Sequence, residues 1–233
     1  MESIRKDFEN RSIEIYEVLN FIEIAEKNNV FAFPQGYNFD KVRFFCSLRA
    51  SLIIMLYNVV EFVITKCLSR IHSEFNKKNL QYHSCNHDVK QLLLRYYISI
   101  IKDDDIEKSS ESLLTLMEHL HNNEKINLSF EEFSKKESLY SGNLDSRLIN
   151  KIFSKYGLEL NLECSELKTI KDIRNKLAHG EESFEEIGRN LTTQYLRNIA
   201  GKSFTFMESV MVLTSIYLNT EQYKASVEHF FNG

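Results

Sequence analysis

The chain has 233 residues, enough to bury a full core, and its formal charge of −4 argues against a protein that coats nucleic acid through bulk positive charge. One Pro and seven Gly leave few enforced turns, so the composition predicts long helices in one all-α domain over residues 1–233. Cys46, Cys67, Cys85 and Cys164 lack C-x-x-C spacing and the start MESIRKDFEN lacks an apolar secretory core, which together predict a cytoplasmic protein.

Residues 2–29 place Ile4, Phe8, Ile15, Val18, Leu19, Ile22 and Ala25 at helical spacing, which predicts an amphipathic first helix. The segment FAFPQGYNFD (31–40) holds the only Pro and reads as a long connection, with Asp40 as the cap of a second helix. That helix is expected from about Asp40 to about His72. Between Leu48 and Leu68 it is apolar on nearly every side, so it should be packed all round, at the centre of the fold. The run Ser51–Leu68 approaches membrane-span length, but Asn58, Glu61 and Lys66 interrupt it and Arg49 flanks it, so no membrane partner is expected. The embedded Arg49, Asn58 and Glu61 must each find partners.

After a polar loop at 82–88, helical patterns return at 88–101 and 109–121 around the acidic turn KDDDIEK. The region 122–141 reads as an irregular insertion with room for short strands such as Lys125–Phe130. Asp145 is the expected cap of a short helix ending at Gly157. From Ser165 to about Ala178, Leu167, Ile170, Ile173 and Leu177 form an apolar stripe, and Gly180 stands where the helix should stop. Ser183 and Glu186 match a capping box. The last pattern, about Thr193 to Tyr217, offers Leu196, Phe204, Phe206, Val210, Leu213 and Tyr217 to the core, with a break expected near Gly201.

The chemistry-bearing residues cluster in the run RNKLAHG (174–180). Five residues advance a helix by about 500°, so Arg174 and His179 stand about 140° apart around the axis and about 7.5 Å apart along it. Asn175 and His179 do share a face, and Lys168 and Lys171 follow the same side as weak substrate-binding candidates. Arg174 falls at the margin of the apolar stripe, where a long guanidinium can reach into a helix seam and still meet an anion. A histidine to move protons beside a permanent cation to hold phosphoryl charge is what RNA cleavage requires. The bland alternative is a structural helix end that happens to carry an Arg and a His. Glu61, with Asn58 and Arg49, is expected to project from the central helix toward the same cleft or to form a core salt bridge. His83, Cys85 and His87 lack a fourth ligand for a metal, and no P-loop, Rossmann or nucleophile-elbow motif calls for a cofactor.

The run RNKLAHG, set near the end of a helix in an all-helical chain, resembles the R-x4-6-H signature of HEPN domains. SLRASLIIMLYNVVE (47–61), GNLDSRLINKIFSKYGLEL (142–160) and RNKLAHGEESFEEIGR (174–189) add to the likeness, which is to HEPN-type nucleases of bacterial conflict systems. The resemblance implies a homodimer in which Arg174, Asn175 and His179 of both chains line one cleft. It further implies metal-independent attack of a ribose 2′-OH on the adjacent phosphate of RNA, with His179 as acid/base, Arg174 as phosphate ligand and Asn175 as positioning group. A toxin or antiphage effector of this kind would have an antitoxin or a neighbouring defence-system protein as partner. The alternative is a non-catalytic HEPN-like binding module, such as the partner of a nucleotidyltransferase.

Overall fold

The computed structural model describes residues 1–28, 40–101, 106–122, 125, 129–137 and 143–225. Its helices are α1 (Glu2–Asn28), α2 (Lys41–Lys77), α3 (His87–Ile101), α4 (Ile106–Asn122), α5 (Phe130–Glu137), α6 (Ser146–Ser154), α7 (Ser165–His179), α8 (Phe184–Arg189) and α9 (Thr193–Asn219), with a 3-10 turn at Tyr82–Ser84. The fold is all-α; the expected connection at 31–40 lies outside the described residues except for Asp40.

Asp40 opens α2 by accepting the Arg43 N–H, and the helix then runs for 37 residues, past the expected end at His72. Ile53, Val59, Val60, Val63 and Ile64 are β-branched and only weakly suited to helix, yet all are buried, so packing decides the conformation. Helices α1, α5, α7, α8 and α9 all pack on α2. The most apolar 18-residue window of α2 is long enough to cross a bilayer by length and composition, and 56% of it is buried inside this fold.

Helix α8 lies closest to α2. A Cβ added at Gly188 would stand 1.8 Å from the Cys46 carbonyl oxygen, so the two backbones approach to a distance that no side chain allows. Arg49 fastens the contact by donating to the carbonyls of Gly188 and Leu191 at 3.0 and 2.8 Å, and it meets Glu26 of α1 at 2.7 Å. Ser183 and Glu186 form the expected capping box that starts α8.

The structure departs from the sequence reading at three places. Asn58 is exposed rather than embedded, because the second helix keeps one partly open stripe. Of the suggested strand at Lys125–Phe130, residues 126–128 lie outside the described residues, and Lys125 forms an isolated bridge with Gln81. In the region expected to be irregular, Phe130–Glu137 is helical, burying Phe133 and setting Phe130 against His72. No break occurs at Gly201, where the roughly 1 kcal/mol cost of a helical Gly is outweighed by burial of Ile199, Ala200 and Phe204 around it.

Helix α6 is placed by one carboxylate with two tasks. Asp145 caps it by accepting the Leu148 N–H at 3.0 Å and also meets Lys171 of α7 at 2.7 Å, with both side chains mostly buried. Burial alone would raise the Asp145 pKa, but the Lys171 ammonium and the Leu148 N–H outweigh it and hold the carboxyl below its ordinary value.

Two outcomes are expected. Gly188→Ala should cost about 3 kcal/mol in urea unfolding, since the new methyl meets fixed backbone. Asp145→Asn keeps a capping side chain and loses the ion pair, costing about 1 kcal/mol at neutral pH. A carboxyl held below 3.8 adds stability above the ordinary carboxylate range and loses it as the pH falls through the lowered value, so the gap between wild type and Asp145→Asn should close below about pH 3.8. Melting curves across pH 2 to 7 would read this; a gap that persists in acid contradicts the assignment.

Candidate functional site

Helix α7 buries Leu167, Ile170 and Leu177 against the core and turns its other side outward, as its apolar stripe requires. It ends where expected. Gly180 adopts the left-handed conformation, its N–H reaching Leu177 O and that of Glu181 reaching Lys176 O, which is a Schellman stop. His179 is therefore the last helical residue, and it is exposed.

Arg174 is half-buried, and its guanidinium carbon lies 4.7 Å above the centre of the Tyr57 ring of α2. It donates to Asn175 Oδ1 at 3.1 Å, and Asn175 in turn donates to Asn143 Oδ1 at 2.7 Å. Arg174 and Asn175, which a helix wheel separates, are thus joined by the reach of the arginine. His179 is not joined to them: among the described residues its side chain makes no hydrogen bond or ion pair. One chain holds the cation and the amide in one hydrogen-bonded cluster to which the imidazole is not bonded.

Tyr57 is the residue that sequence reading missed. Within the apolar run of α2 it passes for core filling, and it is indeed buried. Its hydroxyl, however, accepts the Leu144 N–H at 3.1 Å and stands within the field of the Glu61 carboxylate one turn on. Burial pushes its pKa up to about 12; the Glu61 charge acts in the same direction, while the Leu144 N–H and Arg174 oppose it. The phenol stays protonated, and its ring serves as a platform for Arg174. Glu61 bears on the cluster through its charge beside this phenol. Arg49 does not belong to it, being engaged with α8 and α1, and Asn58 faces outward.

The weaker candidates are also placed. Lys171 is held by Asp145, and Lys168 pairs with Asp172 one turn on at 2.7 Å. Neither lysine has its ammonium free of a carboxylate. His83 bonds to Leu120 O, His87 to Gln91, and Cys85 is buried with its thiol donating to Gln81 O, its pKa pushed up to about 12 by burial. Among the described residues no group of His, Cys, Asp or Glu converges as metal ligands would. A hollow of about 830 Å³ lies between the start of α7 and α9, where Glu166 and Lys202 pair at 2.6 Å; it does not include the RNKLAHG residues.

Comparison with known proteins adds one positive finding. No curated protein and no solved structure matches the chain. A family model described as HEPN_MAE_28990-like HEPN matches residues 1–223. With nearly the whole length covered, and with an all-α fold whose α7 carries the RNKLAHG run, the chain belongs to the HEPN family.

Proposed function

We propose that the protein is a metal-independent endoribonuclease whose active site is assembled from two copies of the chain. The observation that carries this reading is the Arg174 guanidinium seated on Tyr57 and bonded to Asn175, with an exposed His179 at the end of the same helix. In the reaction His179 of one copy takes the proton of the ribose 2′-OH as the 2′-oxygen bonds to phosphorus. The equivalent histidine of the second copy gives a proton to the departing 5′-oxygen as its bond to phosphorus breaks. A 2′,3′-cyclic phosphate and a 5′-OH result. Arg174 holds the charge that builds on the phosphoryl oxygens, and Asn175, fixed by Asn143, orients the strand.

Two copies are invoked because helix geometry sets Arg174 and His179 about 140° apart around α7 and no bond joins them within one chain. The partly open stripe of α2 beside Tyr57, formed by Ile54, Asn58 and Glu61, supports a two-fold seam on this side of the molecule. A cytoplasmic toxin or antiphage effector, restrained by an antitoxin or a neighbouring defence-system protein, is the setting that fits such an activity, and no membrane partner enters it.

A second reading is a non-catalytic HEPN module that binds a protein such as a nucleotidyltransferase. The engagement of Arg174, Lys171 and Lys168 by groups within the chain favours it.

Purified protein should cleave RNA in the presence of EDTA, and Arg174→Ala or His179→Ala should each lower the rate by at least about 100-fold. Cleavage that survives both substitutions removes the site assignment, and complete inactivity combined with stoichiometric copurification of a neighbouring gene product favours the binding module. Tyr57→Leu should lower activity far more than Tyr57→Phe, which keeps the ring under Arg174. Light scattering at micromolar concentration should give the mass of two chains; a monomer contradicts the composite site.

A further inference from the structure

The cations beside RNKLAHG are engaged within the chain: Lys171 with Asp145, Lys168 with Asp172, Lys176 with Glu182. A second set lies next door. On α6, Arg147 and Lys151 are exposed and recur with Lys155 at every fourth residue, so they follow one side of the helix while Ile149, Ile152 and Phe153 are buried on the other. Opposite them α3 presents Asp88, Gln91, Leu92 and Arg95, and the two helices enclose an open hollow of about 260 Å³ that Lys151, Ser154 and Lys155 complete. Three cations and one carboxylate line it, in a chain whose net charge is −4. Among the described residues Arg95, Arg147 and Lys151 make no ion pair.

The strip begins at the candidate site. Asp145, the cap of α6, holds Lys171, and Asn143 just before it holds Asn175, so the first turn of α6 abuts the site half of α7. From there Arg147, Lys151 and Lys155 run away along α6 for about 12 Å, each about 6 Å from the last. That interval is close to the separation of successive phosphates along a nucleic-acid strand.

We propose that this strip, Arg147 and Lys151 on α6, Lys155 at its C-terminal cap and Arg95 on α3, binds the phosphodiester backbone of a single RNA strand leading away from the α7 site. The proposal rests on the ribonuclease reading for the identity of the polyanion. A regular row of cations suits a ligand with a fixed repeat of charge, and Gln91 and Ser154 add neutral donors for phosphate oxygens. An acidic polypeptide, whose side chains keep no such repeat, fits the row less well.

The test uses the full chain carrying His179→Ala, to prevent cleavage, and a fluorescein-labelled uridine oligomer of about 20 nucleotides read by anisotropy between about 50 and 200 mM KCl. Adding Arg95→Gln and Lys151→Gln should weaken binding about 10-fold at the lower salt and reduce the slope of log affinity against log salt by about 1.4, the share of two phosphate contacts on a single strand. Arg95→Lys with Lys151→Arg keeps both charges and should restore both values. In the chain with His179 intact, the neutral pair should raise KM for long RNA and leave cleavage of a dinucleotide unchanged. Unaltered affinity and slope in the neutral pair overturn the proposal, as does polyglutamate competing as well as RNA at equal charge. Binding is read without cleavage, so the strip can fail while the nuclease stands, and the reverse.

Discussion

A helix of 37 residues, roughly 55 Å long, cannot stand in water with apolar side chains around most of its circumference, and the rest of this molecule is arranged to cover α2. The cover is closest where α8 touches it backbone to backbone, and Arg49 closes that contact by satisfying two carbonyls at the end of the short helix. Farther along, Tyr57 is buried with a polar atom at its tip. An unsatisfied hydroxyl there would cost about 1–3 kcal/mol, so the chain entering α6 is drawn in to donate the Leu144 N–H. The ring face that remains receives Arg174. The geometry of the candidate site thus rests on the burial of one phenol.

Charge is handled differently at the surface and at the seam. Exposed pairs such as Lys27 with Glu23 or Lys135 with Glu131 contribute little to stability, being well solvated on both sides. The Asp145 to Lys171 pair, mostly withdrawn from water, couples the start of α6 to α7 and so sets where Asn143 can meet Asn175. Basic side chains instead gather on the outer side of α6 and the facing side of α3, where a single carboxylate, Asp88, stands among them in the hollow. An acidic protein therefore keeps a local positive edge without a positive total.

What was legible in the sequence was local. Gly180 as a stop, Asp40 and Asp145 as caps, and the box of Ser183 and Glu186 all involve residues within a few positions of each other, where side-chain type dictates the hydrogen bond. The RNKLAHG run was legible for the same reason. Tyr57 was not, because its partners lie 87 residues away at Leu144 and still farther at Arg174, and nothing in an apolar run tells a platform from a filler. Arg49 and Asn58 were read together as embedded, yet only Arg49 meets a packed neighbour; the direction of a helix's open stripe depends on which helices reach it. The irregular stretch expected at 130–137 and the break expected at Gly201 both yielded to burial, of Phe133 in one and of Ile199, Ala200 and Phe204 in the other, which propensity does not count.

The four thiols have a practical consequence. Cys46, Cys67, Cys85 and Cys164 are all buried and unpaired, and burial raises the thiol pKa of Cys67, Cys85 and Cys164, so little thiolate is offered to an alkylating reagent. The native chain is close to silent toward thiol-directed probes. A substitution such as Asn58→Cys, on the open stripe of α2, would then give one reactive position per chain. A spin label there would report its distance to the same atom in a second copy, turning a buried feature of the core into a ruler for how two chains face each other.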